Sequence, residues 1–355
     1  MGGVGLALLG QGTVNYLNPA TLTELPFTYI TGNVVHETAD LAGSGQDAFI
    51  TNTNVSGVQF VVPLKVNRIS IAVGLNPYSV IEYQFSSRGT EGSKSFEEIV
   101  SGDGGINTAF FSVSIHPFRR LYLGATGMFY FGNLRNMWRV IFDSPIFTNT
   151  QDEVSRNFTA GNIRLGAVVR LTDAWTFGGV FTPSVTLNAD KSITLERLTR
   201  FENLQAGDID LPQSYGFGTT YSLGKKLLLG LDFYSQKWSD FNAQGYVNDS
   251  KRIAFGLEYS GKGDYKSSYW SRAALRLGVF YQDLGLEDPI GEKVTELFGT
   301  LGVGIPLKWR AGRIDLALEG GRRGSSSSNP FRETVFRFTA TVSVGEKWFF
   351  RRKTR

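Results

Sequence analysis

The sequence predicts an all-β protein, a transmembrane antiparallel β-barrel of about 14 strands with a short N-terminal plug, or hatch. Three observations carry this. Apolar and polar residues alternate with period two along the chain. The connections between these segments are alternately short and long. And a glycine-rich stretch with one fixed turn, "GGVGLALLGQGTVNYLNPATLTEL", precedes the first strand and offers material to fill a lumen. The bulk properties are consistent with this. The chain has 355 residues, 42 of them glycine and 13% aromatic, a length that a barrel can use as one unit. With 36 basic and 32 acidic residues, the charge is too balanced for nucleic-acid binding, and the absence of cysteine excludes disulfides and thiolate metal sites. No run of 18 apolar residues suggests a membrane helix, which leaves strands of about ten residues as the means of crossing.

The N-terminal segment, 1–26, is read first. "GVGLALLG" is apolar but lacks a basic n-region and a cleavage signal, so it does not read as a signal peptide. Pro19 fixes a turn and pushes Asn18 out of the α region. The barrel follows over 27–350. Strands are expected near 27–36, 55–64, 68–84, 106–116, 120–142, 157–171, 174–188, 212–222, 226–238, 251–260, 270–283, 295–307, 312–321 and 332–344. "NIRLGAVVRL" sets Ile163, Leu165, Ala167, Val169 and Leu171 against Arg164 and Arg170. "RIAFGLEYS" sets Ile253, Phe255, Leu257 and Tyr259 against Ala254, Gly256 and Glu258. "TVFRFTATVSV" opposes Phe336 and Phe338 to Arg337.

The connections "KVNR", "HPFRR", "LTDAW" and "SLGKK" are short, whereas "TADLAGSGQDAFITNTN", "SSRGTEGSKSFEEIVSGDG", "SPIFTNTQDEVSR" and "NADKSITLERLTRFENLQAGDIDLP" read as long loops. Sorting of loop length by parity is the pattern of an outer-membrane barrel, with short turns in the periplasm. A soluble sandwich has no reason to sort loops this way. Lys65, Arg68, Arg119, Arg120, Lys225, Lys226, Lys308 and Arg310 cluster at the short turns, with Trp175, Trp309 and Trp348 as girdle candidates. A basic tail, 351–355, lies on the same side. A 14-stranded lumen falls between barrels filled by side chains and open porins, so a plug is needed to keep it from leaking.

The quoted residues resemble the FadL/TodX-type outer-membrane transporters of hydrophobic compounds, the long-chain fatty acid transporter family. "LNPATLTEL" matches the Asn-Pro-Ala element closing that family's hatch, and the glycine-rich start lies just ahead of it. "LPQSYGFGTTYSLGKKLLLGLDFYSQKWSDF" matches its Leu-Pro to Trp-x-x-Phe block at Leu211, Pro212, Gly218, Tyr221, Asp232, Trp238 and Phe241. "RIAFGLEY" followed by "RAALRLGVFY" is its usual next pair of strands. The family's plug is usually longer than Met1–Leu17 ahead of this element, and the tail here runs past Phe350.

The resemblance implies passive uptake of fatty acids or hydrocarbons, with sideways release at a kinked third strand coupled to the hatch. The hatch motif is then Asn18, Pro19 and Ala20. The kink candidate is Gly74, Asn76 and Pro77 in "RISIAVGLNPYSVIEYQF", since proline removes a ladder donor and glycine weakens the strand. Asn18-Pro19-Ala20 are expected to pack near this break. A bulge without a transport role is the plainer reading of the same residues. Inward polar candidates are Arg164, Arg170, Asp232, Glu258, Arg276, Asp315, Glu319 and Arg337. Such charges are expected to pair with one another or with the plug, although an arginine fork would also suit a carboxylate ligand.

No cofactor and no metal site is expected. Neither is enzyme activity, since His36 and His116 fall on opposite rims. The expected partners are a hydrophobic small molecule and outer-membrane lipid, with no nucleic acid and a monomeric state. The alternative is a non-transporting barrel that anchors or shuttles for a secretion or surface-assembly partner. The cargo is not legible in the sequence.

Overall fold

The computed structural model describes residues 1–10, 12, 14–43, 47–92, 94–195, 208–241, 247–261, 268–287, 291, 293–307, 312–324 and 331–348. A 3-10 helix, Pro19–Glu24, leads into a closed barrel. Its strands are β1 Thr28–Gly43, β2 Asp47–Lys65, β3 Ile69–Glu91, β4 Lys94–Phe118, β5 Leu121–Phe142 and β6 Thr150–Arg170. Next come β7 in two pieces, Trp175–Thr182 and Val185–Leu195, and β8 in two pieces, Ile209–Leu211 and Ser214–Leu223. The circuit continues with β9 Leu227–Gln236, β10 Ser250–Tyr259, β11 Ala274–Glu287, β12 Lys293–Pro306, β13 Gly312–Arg323 and β14 Phe331–Glu346. Each of the two interruptions falls at a proline, Pro183 and Pro212, which has no N–H for the ladder. Counted with these as single strands, the barrel has 14. Every pairing is antiparallel between neighbours, and β1 closes the ring on β14 from Thr28↔Glu346 to Gly43↔Phe331.

The period-two pattern sets the two faces. On β5, Phe129 and Gly127 point out while Tyr122, Thr126, Met128 and Tyr130 are buried inside. On β4, Phe111, Val113 and Ile115 point out while Thr108, Ser112 and Ser114 are buried. The outward apolar residues form a belt that starts at the short turns and ends, on β4 and β5, at Asn107 and Asn133. This is about the ten residues a crossing strand needs. Trp175 and Trp348 lie exposed at its short-turn rim, whereas Trp309, Lys308, Arg310 and the tail lie outside the described residues.

The long connections differ from the expectation. β3 to β6 have 23, 25, 22 and 21 residues, against ten in β9 and β10. "SSRGTEGSKSFEEIVSGDG" is the top of the β3–β4 hairpin, paired up to Glu91↔Lys94, and most of "TADLAGSGQDAFITNTN" belongs to β1 and β2. Above the belt both faces of a strand are wet, so the ladder continues while the alternation that marks a half-buried strand disappears. Below, the described residues of 1–25 pack against the inner wall, and this segment is termed the hatch.

Candidate functional site

The hatch is built on Asn18. Its Oδ1 accepts from the Ala20 N–H at 3.1 Å, capping the 3-10 helix, and Pro19 occupies the first helical position, where its missing N–H is not needed. Its Nδ2 donates to the Leu6 carbonyl at 2.6 Å and approaches the Ala167 and Gly179 carbonyls of β6 and β7 at 3.3 and 3.4 Å. Asn18 thus ties three segments together at a fully buried point. Ser114 Oγ donates to the Ala20 carbonyl at 3.2 Å. At the far end of the helix, Glu24 accepts from Tyr122 Oη at 2.5 Å and from Arg170 at 3.2 Å. Asp232 accepts the Gly5 and Leu6 N–H groups at 2.7 and 2.9 Å, and Thr300 Oγ1 accepts the Gly2 N–H at 2.8 Å.

The wall meets this segment with glycine. Gly124, Gly166, Gly178, Gly218, Gly230, Gly256 and Gly278 lie one on each strand from β5 to β11, and a Cβ on any of them would come within 3.0 Å of hatch atoms. Several sit directly opposite one another: Gly124↔Gly166, Gly178↔Gly218, Gly230↔Gly256 and Gly256↔Gly278. They form a cross-strand groove in which the hatch lies against the wall. The sequence carried the signal as one central glycine per strand, in "YLGA", "RLGA", "FGG", "GFG", "LLG", "AFG" and "RLG", but it was read only as high glycine content.

The inward charges fall into three sets. Arg170 and Asp232 hold the hatch. Glu258, Arg276, Asp315, Glu319 and Arg337 pair with one another and with neighbours. Arg276 bridges Glu258 at 2.7 Å and Asp315 at 2.6 Å, and Arg337 bridges Glu319 at 2.8 Å and Glu37 at 2.6 Å. Arg323 adds Glu296 and Glu333. The stacked rings of Phe280 and Phe298, 5.0 Å apart, fill the space between, so the β10–β14 side of the lumen is occupied.

Arg164 is the third case. Its Nε donates to Thr182 Oγ1 at 3.1 Å, and among the described residues it has no carboxylate partner. It lines a cavity of about 340 Å³ with Leu6, Tyr16, Asp232, Tyr234 and Arg252. Arg252, which sequence reading missed although it shares the parity of Ala254 and Glu258, donates to the Gly2 carbonyl at 3.1 Å and covers the Phe280 ring at 3.9 Å.

A second, smaller cavity of about 80 Å³ shares Tyr16 and Arg164 with the first and reaches the wall at Asn76, Pro77 and Tyr78. There the barrel changes. β2 and β3 pair from Lys65↔Ile69 to Val58↔Leu75 and no further, while β2 stays paired to β1 and β3 to β4 to their ends. Three local features coincide at this level. β3 shifts register against β4 between Pro77 and Ser79. Gly57, opposite, adopts φ 141°, where a side chain would strike the Leu75 carbonyl and Asn76. Gln59 donates to Asn76 Oδ1 at 2.6 Å across the seam, just where the ladder ends. Pro77 pairs with Asn107, the first outward polar residue of β4, so the split opens at the upper edge of the apolar belt and the belt itself stays closed. Asn18-Pro19-Ala20 do not pack against it. They sit at the level of Ser114 and Ser70, six positions lower on β3, or about 20 Å along the strand. Tyr16 is the hatch residue at the break.

A family model, BamG, matches residues 1–355. The chain belongs to the BamG family. No curated protein matches it. Solved structures share its fold at low identity. A Pseudomonas aeruginosa FadL homologue superposes with TM-score 0.64 at 14% identity, covering 97% of this chain and 96% of that one. The Ralstonia pickettii toluene transporter TbuX gives 0.62 at 15% identity, with 97% and 96% covered. The Pseudomonas putida toluene transporter TodX gives 0.61 at 16% identity, with 98% and 96% covered. This BamG-family chain therefore has the FadL-type barrel fold.

Proposed function

We propose that this protein lies in the outer membrane and passively admits hydrophobic molecules, fatty acids or hydrocarbons, through the split between β2 and β3. One observation carries the reading: two cavities that share Tyr16 and Arg164 in their linings lie between the hatch and Asn76, Pro77 and Tyr78, where the ladder stops. The smaller cavity is lined by Phe110, Met128 and Tyr130 and also by Thr108, Ser112, Thr126 and Arg164, a mixed lining that suits a hydrophobic molecule with a polar end. The toluene transporters that share the fold support it. Because the belt is closed below Leu75, the molecule passes at the outer edge of the bilayer rather than at its middle. The test is uptake of labelled long-chain fatty acid and of toluene into proteoliposomes. Pro77→Val, which restores a ladder donor, should reduce uptake. A bis-maleimide bridge between cysteines at positions 52 and 82 should abolish it. Full uptake by both refutes the port.

The second reading is a barrel that serves a secretion or surface partner. The observation favouring it is the occupied β10–β14 side of the lumen together with the long strands above the belt. A folded parent that carries neither molecule would favour this role.

A further inference from the structure

The split leaves two strand edges above the belt. β3 from Asn76 to Glu91 has ladder partners on β4 alone, and β2 from Asp47 to Gly57 has them on β1 alone. Among the described residues one side-chain hydrogen bond crosses between them, Asn52 Nδ2 to Glu82 Oε2 at 3.3 Å. Protein edges of this length are normally blunted by lysine, proline or a covering segment. Pro77 blunts the start of the β3 edge, but beyond it "SVIEYQFSSRGTE" has neither lysine nor proline, and nor does "DAFITNTNVSG". Exposed apolar residues stand beside the split, Ile81 and Phe85 on one face of β3, with Glu82 on the other. They stand above the belt, where lipid does not account for them. The charge is one-sided. Glu91 stands opposite Lys94 and Arg88 opposite Glu97, which leaves Glu82 and Glu98 on β3 and β4.

We propose that this edge binds an extended segment of a partner polypeptide by strand addition, one whose side chains alternate between apolar and basic. Backbone N–H and C=O groups in a row select a strand over any other shape, and the pockets between alternate side chains set its identity. Ile81 and Phe85, on one face of β3, take the apolar side chains. Glu82, released from Asn52, takes a basic one. This role is separate from passage through the lumen and does not require it.

The test is hydrogen exchange on the full chain in nanodiscs with the capped peptide VKVKVKVKVKV. At ten times its Kd the peptide should slow exchange about elevenfold at alternate amides of Ser79–Glu91. A peptide N-methylated on alternate residues should have no effect, VEVEVEVEVEV should bind more weakly, and Glu82→Gln should reduce the affinity for the lysine peptide. The proposal is overturned if these amides already exchange as slowly in the free protein as those of Val58–Val62. It is equally overturned if the lysine peptide gives no slowing at its highest soluble concentration, if the N-methylated peptide protects as well, or if the glutamate peptide binds as tightly. The bis-maleimide bridge should block the peptide too, so uptake by the peptide-blocked parent separates this role from the port.

Discussion

Asn18→Ala removes the point where the hatch, its own helix and the wall meet. The cap to the Ala20 N–H is worth about 1 kcal/mol. The 2.6 Å bond to the Leu6 carbonyl is fully buried, and leaving that carbonyl without its donor costs about 1–3 kcal/mol. The two longer contacts to Ala167 and Gly179 add little, since the angle and distance are poor for both at once. The sum, about 2–4 kcal/mol, falls on hatch docking and not on the barrel ladder. At the middle of this range the opened population rises on the order of 100-fold. Hydrogen exchange reads it directly at the Thr21 and Leu25 amides, whose acceptors are the Asn18 and Leu22 carbonyls. Those two should accelerate by that factor, while the ladder amides of Tyr122 and Val168 keep the parent's rate. Acceleration below about threefold, or equal acceleration of the wall, would refute the assignment of Asn18 as the tie between hatch and wall.

Gly166→Val places a side chain on Asn18 and Pro19 and should unseat the hatch, which single-channel recording would show as new conductance over a near-silent parent. Arg276→Met removes the bridge between Glu258 and Asp315, although Asp315 keeps Arg313 at 2.8 Å. Breaking such a buried set costs about 3–5 kcal/mol, seen as a lower temperature for the gel-mobility shift of the unfolding barrel. Glu24→Gln weakens a half-exposed pair worth at most about 1 kcal/mol, so proteolysis should quicken only near Leu25.

The strand count and order were legible because a strand inside the belt has one face in lipid and one in the lumen, and the period-two pattern of β6, β10 and β14 records that. The upper halves of β3 and β4 were not legible, because "SSRGTEGSKSFEEIVSGDG" has water on both faces and reads as loop. The discontinuity at Pro77 was visible as a missing donor. Its height was not, since that depends on where Asn107 and Asn133 end the belt on neighbouring strands. The hatch motif was placed by its sequence, but its distance from the split needed the register of Ser70, Ser114 and Gly124. Pairing of Arg276 with Asp315 joins strands far apart in sequence, and no local spacing encodes it.

The glycine groove also bears on how the chain assembles. Its occupant is the first stretch of the sequence and its floor comes from strands β5 to β11, and just beyond that floor Gly2 meets Thr300 of β12 across 298 residues. Contacts of such separation form late, after loop closure has been achieved by others. The closing joint of the ring, β1 to β14, is just as distant in sequence. The hatch comes later for another reason: its groove exists only once β5 to β11 stand side by side, so a species with that groove empty precedes the finished protein. Because the hatch backbone lies along glycines there, few wall side chains stand in its way, and that species has a direct route to the finished protein.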